Sequence, residues 1–232
     1  MKKIYFILAA AAMFLAVEAN AQLGVGVGYN HINTVQKMAD ESDDESLDGF
    51  YIEATYDLNF LDANWGSLGL QPALRYTFGG DSESEEILGV NTRVSIAEHY
   101  LDIPVRIKFA MDVMPNLRAF VYAGPTLDFG LSSKYQCRAR LSDDQVGKYT
   151  YNYYSGKNKV STIPGFEASN PSSVYRRFDV DMGFAIGAEI YDIATVKLGL
   201  DWGLINKNKN RNIADYLITN RNTFYLGLGV RF

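Results

Sequence analysis

The chain has 232 residues, among them 20 glycines, 16 tyrosines and 13 phenylalanines, with a net charge of −5 and a pI near 5.1. That balance excludes a nucleic-acid surface, which needs a basic stripe for phosphates, and the glycine and aromatic content favours strands and turns over helices. Cys137 is the only cysteine, which excludes an internal disulfide and leaves a free loop thiol or a bond to another chain. Two histidines and one cysteine are too few for a zinc-type centre.

The N-terminus reads as an export leader: Lys2 and Lys3, an apolar run over 4–17, then Ala19, Asn20 and Ala21 as a small-x-small cleavage site. The run is shorter than the roughly 20 residues a spanning helix needs. The predicted division is a signal peptide over 1–21 and one domain over 22–232. No cysteine follows the cleavage site, so no lipid-anchored N-terminus is predicted.

From there one theme recurs eight times: a stretch in which apolar and polar residues alternate, closed by turn residues. The apolar phase runs through Leu23, Val25, Val27 and Tyr29, then Phe50, Ile52, Ala54, Tyr56 and Leu58, then Leu68, Leu70, Pro72, Leu74, Tyr76 and Phe78. It resumes at Leu101, Ile103, Val105, Ile107 and Phe109, and at Ala119, Val121, Ala123, Pro125, Leu127 and Phe129. Phe178 to Ile186 and Val196 to Leu204 repeat it, and the chain ends on Phe224, Leu226, Leu228, Val230 and Phe232. About ten residues rising roughly 3.3 Å each, tilted near 40°, give about 25 Å of height, the thickness of an outer-membrane apolar band.

The connections alternate long and short. Those at 33–48, 79–98, 132–177 and 206–222 are long, and those at 61–64, 113–116 and 191–194 are tight. Segregation of loop length by side is what an up-and-down barrel with short periplasmic turns and long outer loops requires. The opposite phase of the strands decides which face meets lipid. It carries Glu53, Asp57, Arg75, Asp102, Arg106 and Lys108, then Arg118, Asp128, Asp179, Asp181, Glu189, Lys197, Asp201 and Arg231. A soluble core would not tolerate so many charges, so the apolar face must look outward. The reading is an all-β, eight-stranded antiparallel transmembrane β-barrel of the outer membrane of a Gram-negative bacterium. Its last residue and several strand-end aromatics (Phe60, Trp65, Tyr76, Phe232) are placed for interfacial girdles.

An eight-stranded lumen is just wide enough for side chains to fill, so a mixed-sign charge network is expected to plug it; a narrow channel is the alternative. A lipid-modifying enzyme would need a nucleophile set against a histidine, and His31 and His99 are the only histidines available, with Ser95 and Glu98 near the second. Adjacency along an extended strand does not make such a pair. No catalytic residues and no cofactor are implied.

Two outer segments stand apart. Asp40, Glu41, Asp43, Asp44 and Glu45 form an acidic run, a weak divalent-metal candidate without the spacing of a calcium loop. Tyr149, Tyr151, Tyr153 and Tyr154, interleaved with Asn, Ser and Gly, are candidates for recognising an extracellular protein or glycan, or form a self-packed hairpin.

"HYLDIPVRIKF" from 99, "FVYAGPTLDFGL" from 120, "RRFDVDMGFAIGAEI" from 176 and the terminal "YLGLGVRF" resemble the PorT-like outer-membrane β-barrel family. The resemblance implies an OmpA-like monomeric barrel surrounded by outer-membrane lipid. It further implies a terminal Phe232 read by the barrel-assembly machinery, and a link, for part of the family, to type IX protein secretion.

Overall fold

The computed structural model describes residues 21–38, 41–63, 66–87, 90–142, 145–161, 173–209 and 217–232. The predicted leader lies outside them apart from its final residue, Ala21, which begins the first strand. Ten strands follow: β1 (Ala21–Met38), β2 (Glu41–Ala63), β3 (Gly66–Ile87), β4 (Val90–Met114), β5 (Leu117–Ser142), β6 (Gln145–Asn152), β7 (Asn158–Ser161), β8 (Phe178–Ile190), β9 (Ala194–Gly203) and β10 (Leu217–Arg231). Eight of these close a ring, β1-β2-β3-β4-β5-β8-β9-β10 and back to β1, every pair antiparallel. The remaining two, β6 and β7, add to the outer end of β5 as a three-stranded arm.

Closure removes every sheet edge inside the wall, which is what lipid demands of backbone polar groups. The two faces then follow from period-two alternation. Leu228 is 62% exposed and Ile186 60%, while Asp102, Asp181 and Asp201 are at 0%. The turns at the periplasmic end are tight: Asn116 (φ 67°) closes β4 to β5, and Tyr191 and Asp192 (φ 54° and 58°) close β8 to β9. Two successive positive φ values match the twist of a hairpin. Phe60 and Phe232 are exposed near this end; Trp65 lies outside the described residues. Tyr76 sits instead in the outer aromatic row, hydrogen-bonded to His99 at 2.7 Å. Phe50 and Phe78 (5.4 Å between centroids), Phe78 and His99 (5.1 Å) and Phe129 and Phe178 (5.3 Å) extend that row.

The long connections are mostly not loops. The β1–β2 ladder continues to Met38↔Glu41, and the β3–β4 ladder to Ile87↔Val90. The expected loops at 33–48 and 79–98 are thus paired hairpins standing above the membrane. The apolar alternation ends where lipid ends, whereas backbone pairing continues wherever two antiparallel strands stay in register. A bulge marks the transition on β5: His99 pairs with Ser132 and Tyr100 with Gly130, leaving Leu131 extra. The insertion rephases the strand, so Gly130 faces inward below the bulge and Ser133 above it. Cys137 lies on this paired extension, a free thiol in a strand rather than in a loop.

Candidate functional site

The lumen is organised as layers of ion pairs contributed by strands far apart in sequence. Nearest the tight turns, Lys108 lies 2.9 Å from Asp57 and 2.5 Å from Glu189, and Arg231 contacts the same two carboxylates. Gln71 donates to Asp57 at 2.6 Å. The pocket between this layer and the next, beside Lys197 and Gly24, has a volume of about 20 Å³, room for about one water.

At mid-height Lys197 pairs with Glu53 among three tyrosines, Tyr51, Tyr122 and Tyr225, the last two 3.1 Å apart at their hydroxyls. Above them Asp201 is shared by Arg75 (2.5 Å) and Arg106 (2.5 Å), and Arg75 also reaches Asp102 at 3.1 Å. Arg75 lies 5.0 Å over the Tyr225 ring. Gly183 is needed beside this group, because a Cβ there would occupy the space of the Arg106 guanidinium and the Asp201 carboxylate. The next layer is richer in carboxylates: Arg221 contacts Asp128, Asp181 (3.3 Å) and Asp102 (3.9 Å), with Asp179 facing the same level.

The outer mouth is closed by aromatic residues. Tyr100 stacks under Arg221 at 3.9 Å and donates to Glu98, which also accepts from Ser133 at 2.6 Å. Lys207 reaches down from the β9–β10 connection to the Tyr100 hydroxyl at 2.9 Å. The β6–β7 turn lowers Tyr154 onto this group against Ile32, Leu47 and Tyr100, over Gly130, where any side chain would collide with its ring. Asn152 shapes that turn by accepting from the amides of Tyr154 (3.1 Å) and Ser155 (3.0 Å). Tyr153 stacks on Tyr175 at 5.0 Å, and its carbonyl accepts from Val174 at 2.9 Å. Burial, reinforced by the charge of Glu45, pushes the Tyr153 phenol up to about 12.

Residues 15–207 match the model of the outer membrane protein beta-barrel domain family. The chain belongs to that family. It is an integral protein of the Gram-negative outer membrane, with lipid against its apolar face. No curated protein matches the chain. Solved structures with a similar course include Ail, the attachment invasion locus protein of Yersinia pestis, at 11% identity over 92% of this chain and 100% of that one, TM-score 0.38. Neisserial surface protein A aligns at 11% identity over 92% and 100%, TM-score 0.37. The outer membrane enzyme PagL aligns at 8% over 87% and 98%, TM-score 0.38.

Within this family barrel, the predicted lumen residues Glu53, Arg75, Asp102, Arg106, Lys108, Asp128, Asp179, Asp181, Glu189, Lys197 and Asp201 are buried and inward, and Arg231 is half-buried. Arg118 contacts Ser67 and lies 3.7 Å from Asp112 at the turn end. Sequence reasoning missed Arg221 and Lys207 because 206–222 reads as loop. Yet Thr219, Arg221 and Thr223 continue the inward phase of Tyr225, and that register was the available signal.

The tyrosine-rich segment, expected as a recognition surface or a self-packed hairpin, is a hairpin. Tyr151 (7% exposed) and Tyr154 (6%) are buried in the hairpin and the mouth, so they are not free to meet a partner. Tyr149 is half-buried, edge-on to Tyr135 at 6.5 Å. The acidic run is also a ladder, in which consecutive residues take opposite faces: Asp44 pairs with Val35 and Glu45 with Thr34. Asp40 and the side chains of Glu41 and Asp43 lie outside the described residues. No cluster of metal-ligating side chains occurs among the described residues.

Proposed function

We propose that this barrel is a non-enzymatic outer-membrane protein whose extracellular arms engage a surface or envelope partner, protein or glycan. The observation that carries the reading is strand length. β4 has 25 residues and β5 has 26, against about ten needed to cross the bilayer. Much of the folded sheet therefore stands outside the membrane, on a base whose interior is filled. The partner-facing part is the outer surface of the β5–β6–β7 arm, whose last strand, β7, is the end of the sheet order among the described residues and is read as an edge for strand addition.

One observation speaks against a serine activated by His99. The His31 ring nitrogen is held by Asp48 at 2.8 Å and that of His99 by the Tyr76 hydroxyl at 2.7 Å. Ser132, the cross-strand partner of His99, has no hydrogen-bond partner for its hydroxyl, so this serine is not held by the His99 ring. The layered ion pairs speak for a plug rather than a channel.

The finer PorT-like placement, with a role accessory to type IX secretion, is the second reading. It rests on the "YLDIP" and "FDVDMG" segments, whose Asp102, Asp179, Asp181 and Gly183 fill the lumen and therefore speak to folding more than to activity. We further read the chain as an exported monomer. Phe232, whose amide donates to Leu23 across the β1–β10 seam at 2.8 Å, is taken as the residue the assembly machinery recognises. The test is deletion of 145–161 in the full-length chain on cells. A barrel that still shifts on unboiled SDS-PAGE but loses its surface cross-links supports the arm as the partner site; cross-links unchanged by the deletion refute it.

A further inference from the structure

Above the membrane carboxylates predominate on one side, where Lys37 and Arg93 are the exposed cations of the described ladder, and cations on the other. On the hairpin extensions of β2 and β3, Asp44, Asp48, Asp81, Glu83, Glu85 and Glu86 are exposed. The β5–β6–β7 arm carries Lys134, Arg138, Arg140, Lys148, Lys157 and Lys159 and, among its described residues, no carboxylate. Where that basic side descends to the lipid there is a pocket of about 460 Å³, lined by Tyr154, Tyr175, Arg176, Arg177, Phe178, Ile205 and Lys209. Arg176, Arg177 and Lys209 are cationic and, among the described residues, no carboxylate lines it.

The pocket is built rather than incidental. Arg177 is fixed by donating Nη1 to the carbonyls of Gly130 (3.0 Å) and Leu131 (3.1 Å), with its guanidinium 5.3 Å over Tyr154. Lys209 is steadied by Ser173 at 2.8 Å, while Lys207, two residues earlier, turns inward to Tyr100. The Arg176 amide donates to the Lys207 carbonyl at 2.8 Å, which ties the two segments that form the pocket. Its lower lip is the outer end of the lipid-facing wall, where Phe178 (43% exposed), Leu131 (48%) and Leu204 (63%) look into the bilayer. Cations directly above exposed apolar side chains suit a ligand that is anionic at its head and hydrocarbon below. Guanidinium and ammonium donors together suit phosphate.

We propose that this pocket binds the phosphorylated headgroup of an outer-leaflet glycolipid, with the acyl chains lying on Phe178, Leu131 and Leu204. The pocket shares Tyr154 with the β6–β7 turn but none of the arm's cations, and lipid titration of the intact barrel reads it separately from the arm's cross-links. Purified full-length barrel in zwitterionic detergent is titrated with diphosphoryl lipid A, dephosphorylated lipid A and inorganic phosphate, with bound ligand read by native mass spectrometry. Diphosphoryl lipid A is expected to bind at least about tenfold more tightly than the dephosphorylated form. Arg176→Gln/Lys209→Gln is expected to remove about the same factor, and Lys148→Gln/Lys159→Gln on the arm to change nothing. The proposal is overturned if the two lipid forms bind equally, a comparison that needs no variant. It is overturned equally if the pocket variant binds as wild type, if the arm variant loses as much as the pocket variant, or if inorganic phosphate displaces the lipid at equimolar concentration.

Discussion

Charged residues obey opposite rules in the wall and in the arms. In the wall, Arg75 meets Asp201 across 126 positions of sequence, and Lys197 meets Glu53 across 144. Above the rim, like charges gather, carboxylates on the β2 and β3 extensions and cations on the β5–β6–β7 arm. The difference lies in the solvent. A buried ion without its partner costs several kcal/mol, so the lumen is forced into pairing, whereas water and salt screen exposed neighbours and leave their arrangement free to serve binding. Pairing in the wall therefore reports on stability, and segregation in the arms is the feature on which the proposed recognition rests.

The sharpest way to break this contrast is Asp201→Ala, which leaves Arg75 and Arg106 sharing no carboxylate at that level. A loss of about 3–5 kcal/mol is expected, read as a lower urea midpoint for the detergent-folded barrel; a midpoint within experimental scatter would mean that lumen pairing is not what stabilises the wall. Next comes Tyr154→Ala, which opens the mouth without touching an ion pair. About 3 kcal/mol of local stability should be lost, seen as protease cleavage within 145–161 while the heat-modifiable band persists. Loss of the band itself would make the hairpin a structural part of the barrel.

A smaller effect is expected at alkaline pH. The Tyr153 phenol is raised to about 12 by burial, against about 10 in the unfolded chain. The native state thus holds a proton that the unfolded state has released, and this contribution to stability, fully present below about pH 10, is lost as pH rises through about 12. Tyrosinate absorbance of wild type minus Tyr153→Phe should show one phenol titrating in that window, and a midpoint near 10 would place Tyr153 in solvent. Smallest of all, Asp44→Asn/Glu83→Gln should change barrel stability by less than about 0.5 kcal/mol. A larger change that appears only with added Ca²⁺ would return the acidic hairpins to the role of an ion site.

How legible each part was in the sequence depended on whether a local period recorded it. Leu226 and Leu228 alternating with Gly227 and Gly229 announced a strand with one lipid face, and Asp179 and Asp181 alternating with Phe178, Val180 and Met182 announced the lumen. Arg221 was hidden because it falls within 206–222, which reads as loop, and its place in the lumen follows from pairing with β1, where it lies opposite Thr34. The fate of Tyr154 was hidden for a different reason: nothing within the hairpin says that its turn folds back over Gly130.

The alternation along each strand is enough to specify the wall: which strands cross the membrane, which side chains face lipid and on which side the connections are short. That information is carried by a two-residue period and by the cost of placing charge in hydrocarbon, both of which act locally along each strand. The folded barrel alone reveals how far the ladders run above the membrane, which cation meets which carboxylate, and that Tyr154 closes the mouth while a basic pocket opens beside it. Those choices depend on barrel closure and strand register, which bring residues more than a hundred positions apart within 3 Å, a distance that no pattern within one segment encodes.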